Sequence, residues 1–171
     1  MAAYRGRSTW SLAVSTNIMR ALIALVVLLT SATTYAADAP ATHPRQKEAV
    51  GFTTHWLDLL EETKADASFD LLTPIFQANL TRASWRASVM ERKASLGKLL
   101  ARRLRRVVWY ENPADAPLPG TYVAVEFDSE YERTDQHFEY VMLHSQHDAP
   151  FKVMRQQSTV LMKGEKTPRS L

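Results

Sequence analysis

The sequence predicts an α+β domain, three N-terminal helices packed on a curved four-stranded antiparallel sheet, and three features of the chain predict that class. Between residues 45 and 94 apolar side chains recur every three or four positions, the period of a helix with one buried face. Beyond Gly97 the period changes to alternation, the pleat of a strand with one face turned inward. Short polar, Pro-containing or Gly-containing stretches separate the alternating runs, so successive strands pair as hairpins in a meander.

Before the first helix comes a segment with the organisation of an export leader. Arg5, Arg7 and Arg20 precede an unbroken apolar run at 21–29, which gives way to small and polar residues at 30–36. A positive region, a short apolar region and a small-residue end make a secretory signal peptide over residues 1–36, with Thr34 and Ala36 at the two peptidase pocket positions. An uncleaved anchor would need about 20 apolar residues; the unbroken run has nine. The expected location is periplasmic or secreted, with membrane contact only through the signal peptide before cleavage. The chain of 171 residues carries net charge +3, but the leader holds three arginines and no acid, leaving 18 basic and 18 acidic residues. A near-neutral remainder gives no basic surface for nucleic acid. No cysteine occurs, which excludes disulfides, thiolate catalysis, Cys-ligated metals and a lipid-modified cysteine.

Residues 37–44 are small and Pro-containing, a flexible lead-in to one domain at 45–162. In the first helix, 45–63, Ala49, Phe52, Trp56, Leu60 and Thr63 line one face, widened by Leu57 and Leu59. A second helical stretch, 68–80, breaks at Thr73-Pro74, where Thr caps free amides and Pro supplies the first-turn φ. The third helix, 81–94, opens on a Thr81 cap, buries Trp85 and Val89 one turn apart, and ends near Gly97. Strands follow at 102–111, 121–131, 137–145 and 151–159, and the polar tail 163–171 reads as disordered.

Strand register follows from what must be buried. A turn centred near Thr134 sets Phe127 against Val141 and Val125 against Leu143, and the next turn sets Leu143 against Val153. Val123, Val125, Phe127, Val141, Leu143, Phe151 and Val153 then face the helices, whereas a slip of one residue would bury Glu126 and Asp128 at a cost of several kcal/mol. Alternation extended along strands three and four brings Glu139 and Arg155 to the same inward side at one end, a candidate pocket mouth or a structural salt bridge. Phe138, Tyr140 and Met142 form an outward apolar strip beside Glu126, Asp128 and Glu130, a candidate interface.

The motifs Ser68-Phe69-Asp70, Thr73-Pro74-Ile75-Phe76, Trp85, Leu96-Gly97, Arg103-Leu104, Leu118-Pro119-Gly120-Thr121-Tyr122-Val123, Glu139-Tyr140-Val141 and Phe151-Lys152-Val153 resemble the bacterial family of domain of unknown function 4019, over about residues 45–157. The order of elements resembles the NTF2-like and cystatin-like cone folds. The first resemblance implies export and supplies no catalytic residue. The second implies a helix-covered sheet, and NTF2-like domains commonly dimerise through the outer sheet face, where Phe138, Tyr140 and Met142 lie.

Other local groupings carry little chemistry. Arg102, Arg103, Arg105 and Arg106 are split between two faces by alternation and pair with the acids of the neighbouring strand as a solvated ladder. His144, His147 and Asp148 have metal-ligand types, but residues three apart on an extended chain diverge, so no metal site is expected. Asp135 and His137 flank a turn without a nucleophile, and in Asn79-Leu80-Thr81 the threonine serves as a helix cap. The expectation is an exported non-catalytic binding or accessory protein without cofactor, its partner a small ligand or an envelope protein, with a homodimer through the outer face as a further option. The alternative is a small NTF2-like hydrolase or isomerase with Glu139 as acid-base and Arg155 orienting an anion.

Overall fold

Four helices precede the sheet in the computed structural model, which describes residues 43–170. The expected leader at 1–36 and the lead-in up to 42 lie outside the described residues. Helix α1 (Gln46–Glu61) buries Ala49, Trp56, Leu57 and Leu60 as its spacing requires, and stops before Thr63, whose φ of 56° ends the helix. The second helical stretch is two helices, α2 (Ala65–Asp70) and α3 (Pro74–Gln77), divided where Thr73 accepts a hydrogen bond from the Phe76 amide. Helix α4 (Arg82–Leu96) begins with a reciprocal cap between Thr81 and Ser84 and ends at Gly97.

Ser68 ties these helices together. Its carbonyl accepts the indole N–H of Trp56 at 3.0 Å and its hydroxyl accepts that of Trp85 at 2.9 Å, so both large rings are buried without an orphaned donor. The link between α2 and α3 is stitched to the sheet by Thr73 N–H to the Val153 carbonyl, 2.8 Å, and Val153 N–H to the Leu71 carbonyl, 2.9 Å.

The sheet consists of β1 (Leu99–Glu111), β2 (Thr121–Tyr131), β3 (Thr134–Ser145), β4 (Lys152–Met162) and β5 (Arg169–Ser170), antiparallel and in sequence order. Val123, Val125, Phe127, Val141, Leu143, Phe151 and Val153 all turn inward, none more than 3 % exposed, and meet Trp56, Leu60, Trp85 and Val89 in one core. Full burial of such side chains contributes roughly 1.5–3 kcal/mol each.

Three expectations are corrected. The β2–β3 turn is tighter than expected, so Phe127 faces Glu139, Val125 faces Val141 and Val123 faces Leu143, a displacement of two residues that leaves every side chain on its expected face. The tail is not wholly irregular: Ser170 pairs with Thr159 and Arg169 with Val160. The acidic row is not uniformly in water either. Asp128 and Glu130 are exposed, but Glu126 is buried on the outer face, beside Tyr140 on the next strand and 2.5 Å from Arg106.

Candidate functional site

Glu139 is fully buried, and its surroundings explain how a carboxylate tolerates that position. Alternation along β3 carries it inward in step with Val141 and Leu143. At this end of the sheet the inward row of β2 changes from valine and phenylalanine to Ser129 and Tyr131, and β1 contributes Arg102 opposite Ser129. Helix α4 contributes Arg92, seven residues after Trp85 and three after Val89 on the same stripe. Helix α1 ends above them with Asp58 and Glu61.

Every oxygen of Glu139 is occupied. Oε1 accepts from Arg92 Nη2 at 2.6 Å, and Oε2 accepts from Arg102 Nε at 2.9 Å and from the Ser129 hydroxyl at 2.5 Å. The Tyr131 hydroxyl donates to Glu61 at 2.5 Å and accepts from Arg92 at 2.7 Å and Arg102 at 3.2 Å. Arg102 also reaches Asp58 at 3.2 Å, and Lys93 stands 3.6 Å from Glu61. Three carboxylates therefore meet three cations, and charge is balanced within the cluster. Burial opposes ionisation of Glu139, but Arg102 and Arg92 outweigh it and hold its carboxyl down at about 2. Burial pushes the Tyr131 phenol up, so it stays protonated and donating. His137 lies beside this cluster, 3.9 Å from Glu139, with neither ring nitrogen hydrogen-bonded. Burial outweighs the attraction of Glu139 and, with Arg92 and Arg102, pushes its ring down to about 4, so it is neutral at pH 7.

Next to the cluster a cleft of about 280 Å³ opens between α4 and β4. Leu60, Trp85 and Val89 make its apolar floor. Ser88, Arg92 and Ser95 line the helix side, with Glu91 at the rim, and Gln156 and Ser158 line the strand side. The gap has a sequence cause. The positions that would close helix on strand carry small or polar residues, and the inward row of β4 is interrupted by Gln156 and Ser158 between Val153 and Val160.

Arg155 is not at this site. Leu143 pairs with Val153 but Met142 pairs with Arg155, so Met154 is an extra residue that bulges the strand and reverses the parity beyond it. Glu139 faces Ser158, whereas Arg155 is exposed on the outer face beside Met142. The expected Glu139–Arg155 juxtaposition is corrected accordingly. Phe138, Tyr140 and Met142 are half-buried on the outer face, with the 45 % exposed Tyr110 on the same sheet. Three arginines form the expected outer ladder, Arg103 to Glu130 at 2.6 Å, Arg105 to Asp128 at 3.4 Å and Arg106 to Glu126 at 2.5 Å. Arg102 leaves it for the buried cluster.

His144 Nε2 donates to the Pro119 carbonyl, 3.0 Å away, while His147 and Asp148 lie exposed in a turn with positive φ. Asp135 is exposed and His137 buried, so these two do not form a dyad. Among the described residues no group of three or more His, Asp or Glu is arranged to hold a metal ion, and no helix is long and apolar enough to cross a membrane. Sequence reasoning missed Arg92, Glu61 and Tyr131. Arg92 was the findable one, because it occupies an inward position of the stripe that holds Trp85 and Val89.

Compared with known families, residues 52–155 match the one described as protein of unknown function (DUF4019). No curated protein and no solved structure matches the chain.

Proposed function

The chain belongs to the DUF4019 family, and from that premise we propose that it is an exported, non-catalytic binding protein whose small ligand enters the cleft between α4 and β4. The observation that carries this reading is the neighbourhood of two features. One is an apolar-floored cleft with a few polar groups on its walls, the usual make-up of a ligand site. The other is the state of Glu139, a fully buried inward carboxylate of the sheet. A general acid-base works best with a pKa near the operating pH and a free oxygen for the substrate. Glu139 is held ionised at about 2 and both oxygens are engaged. Its role in this reading is to fix Arg92 at the edge of the cleft. Export rests on the leader pattern at 1–36, and an NTF2-like cone on the order of helices and meander.

The test is purification from the envelope or secreted fraction of the native host, followed by extraction and mass spectrometry of bound small molecules. A compound enriched with the wild-type chain and absent from Ser95→Trp, which fills the cleft, is the expected result. Equal recovery from both proteins, or no enrichment, defeats the reading.

A second reading concerns the outer sheet face. Phe138, Tyr140 and Met142 stay only half-buried, although the ion pairs around them are internally satisfied. An apolar strip inside a neutralised frame suits a second copy of the chain. Solution mass before and after Tyr140→Glu tests it: dimer turning to monomer is expected, and monomer in both removes it.

A further inference from the structure

The geometry points to an uncharged amphiphile, an apolar body with a hydrogen-bond-accepting neutral head, as the ligand class of the cleft between α4 and β4. This rests on the reading of that cleft as a binding site. The floor, Leu60, Trp85 and Val89, can receive only an apolar body, and a space of about 280 Å³ suits a molecule of small size.

The head is specified by charge and by donor inventory. Among the described residues Arg92 is the one cation lining the cleft, and its guanidinium directs all of its side-chain hydrogen bonds through Nη2, to Glu139, Tyr131 and Glu61. Nε and Nη1 are left as donors without a side-chain partner. A guanidinium has no acceptor, so the ligand group that meets it must accept. That group gains nothing from being an anion, because the positive charge of Arg92 is already matched by Glu139 at 2.6 Å and Glu61 at 3.4 Å. An added anion would be the unbalanced charge of the cluster, and a desolvated unbalanced charge is costly. A cationic head would meet the guanidinium directly. Apart from the exposed Glu91, the remaining wall groups, Ser88, Ser95, Gln156 and Ser158, are uncharged and both donate and accept. An amide, carbonyl or hydroxyl head satisfies all of them.

The experiment is a calorimetric titration of the full chain at pH 7 with three probes that share an eight-carbon body, namely octanamide, octanoate and octylamine. It is repeated on Ser88→Trp. Ser88 is an exposed helix position on the cleft wall, so its replacement should leave the fold intact by circular dichroism while blocking the cleft. Octanamide should bind at least tenfold tighter than either charged probe, and Ser88→Trp should weaken it at least tenfold. Octanoate or octylamine binding as tightly or more tightly, and still lost in Ser88→Trp, overturns the neutral-head inference while the cleft remains a binding site. Octanamide binding that Ser88→Trp does not alter places the probe elsewhere, and the reading of the cleft fails with the inference. Absence of binding by all three probes also overturns the inference.

Discussion

Glu139 takes its character from two guanidinium groups delivered by different elements, Arg92 from α4 and Arg102 from β1. Each arginine is held in turn by Glu61 and Tyr131, so the group is a closed network rather than a row of separate pairs. Removing one member of such a buried network leaves the others uncompensated. Glu139→Gln should therefore lower unfolding stability by about 3–5 kcal/mol, read from urea denaturation at pH 7. Arg155→Ala, on the exposed outer face, should stay within about 0.5 kcal/mol of wild type in the same assay. Equal losses would mean that the two residues are coupled after all. The inward direction of Glu139 was legible, because period-2 alternation from Val141 and Leu143 settles it. Its partners were not. Arg92 lies 47 positions away on a helix, and Arg155 is turned outward by a bulge at Met154 that no Gly or Pro announces.

At the scale of the element, α4 is the piece whose ends and faces are both spelled out by residue type. Thr81 and Ser84 close its first turn, and Gly97 closes its last at φ 78°, a conformation that a side chain resists. A Cβ at Gly97 would also come within 2.9 Å of the Glu132 carboxylate, which accepts the Lys98 amide at the start of β1. Gly51, in the middle of α1, has nothing within 4 Å of such a Cβ. The two glycines should answer oppositely to alanine. Gly97→Ala should destabilise by about 1–3 kcal/mol, and Gly51→Ala should stabilise by about 0.5–1 kcal/mol through its better helix propensity. Thermal and urea midpoints moving the same way for both variants would contradict this account of the helix end. The helices and their breaks were readable for the same reason, since caps and terminators act within a few residues. The stand-off of α4 from β4 was not, because it depends on Gln156 and Ser158 turning inward only after the bulge.

For the whole molecule, the fold class was legible because a change of hydrophobic period near Gly97 needs no knowledge of distant partners. What the pattern cannot reveal is that the core has two chemistries, an apolar body under Trp56 and Trp85 and an ionic end around Glu139. The ionic end makes the entire domain sensitive to acid. The His137 ring is pushed down from 6.5 to about 4 and the Glu139 carboxyl down to about 2, so in each case the unfolded chain takes up a proton before the folded one does. Stability must then rise with pH wherever the unfolded state holds more protons. The His137 contribution is complete above pH 6.5 and is lost as pH falls toward 4; the Glu139 contribution is complete above its unfolded value near 4.5 and is lost as pH falls toward 2. By pH 4 the His137 part amounts to about 3 kcal/mol. Urea unfolding at pH 7, 5.5 and 4 should show this loss, and His137→Phe, which fills the same space beside Tyr131 without a titrating ring, should flatten the curve between pH 6.5 and 4.5 while leaving the fall below it. A wild-type curve already flat from pH 7 to 4 would mean that the His137 ring is not held neutral by its burial.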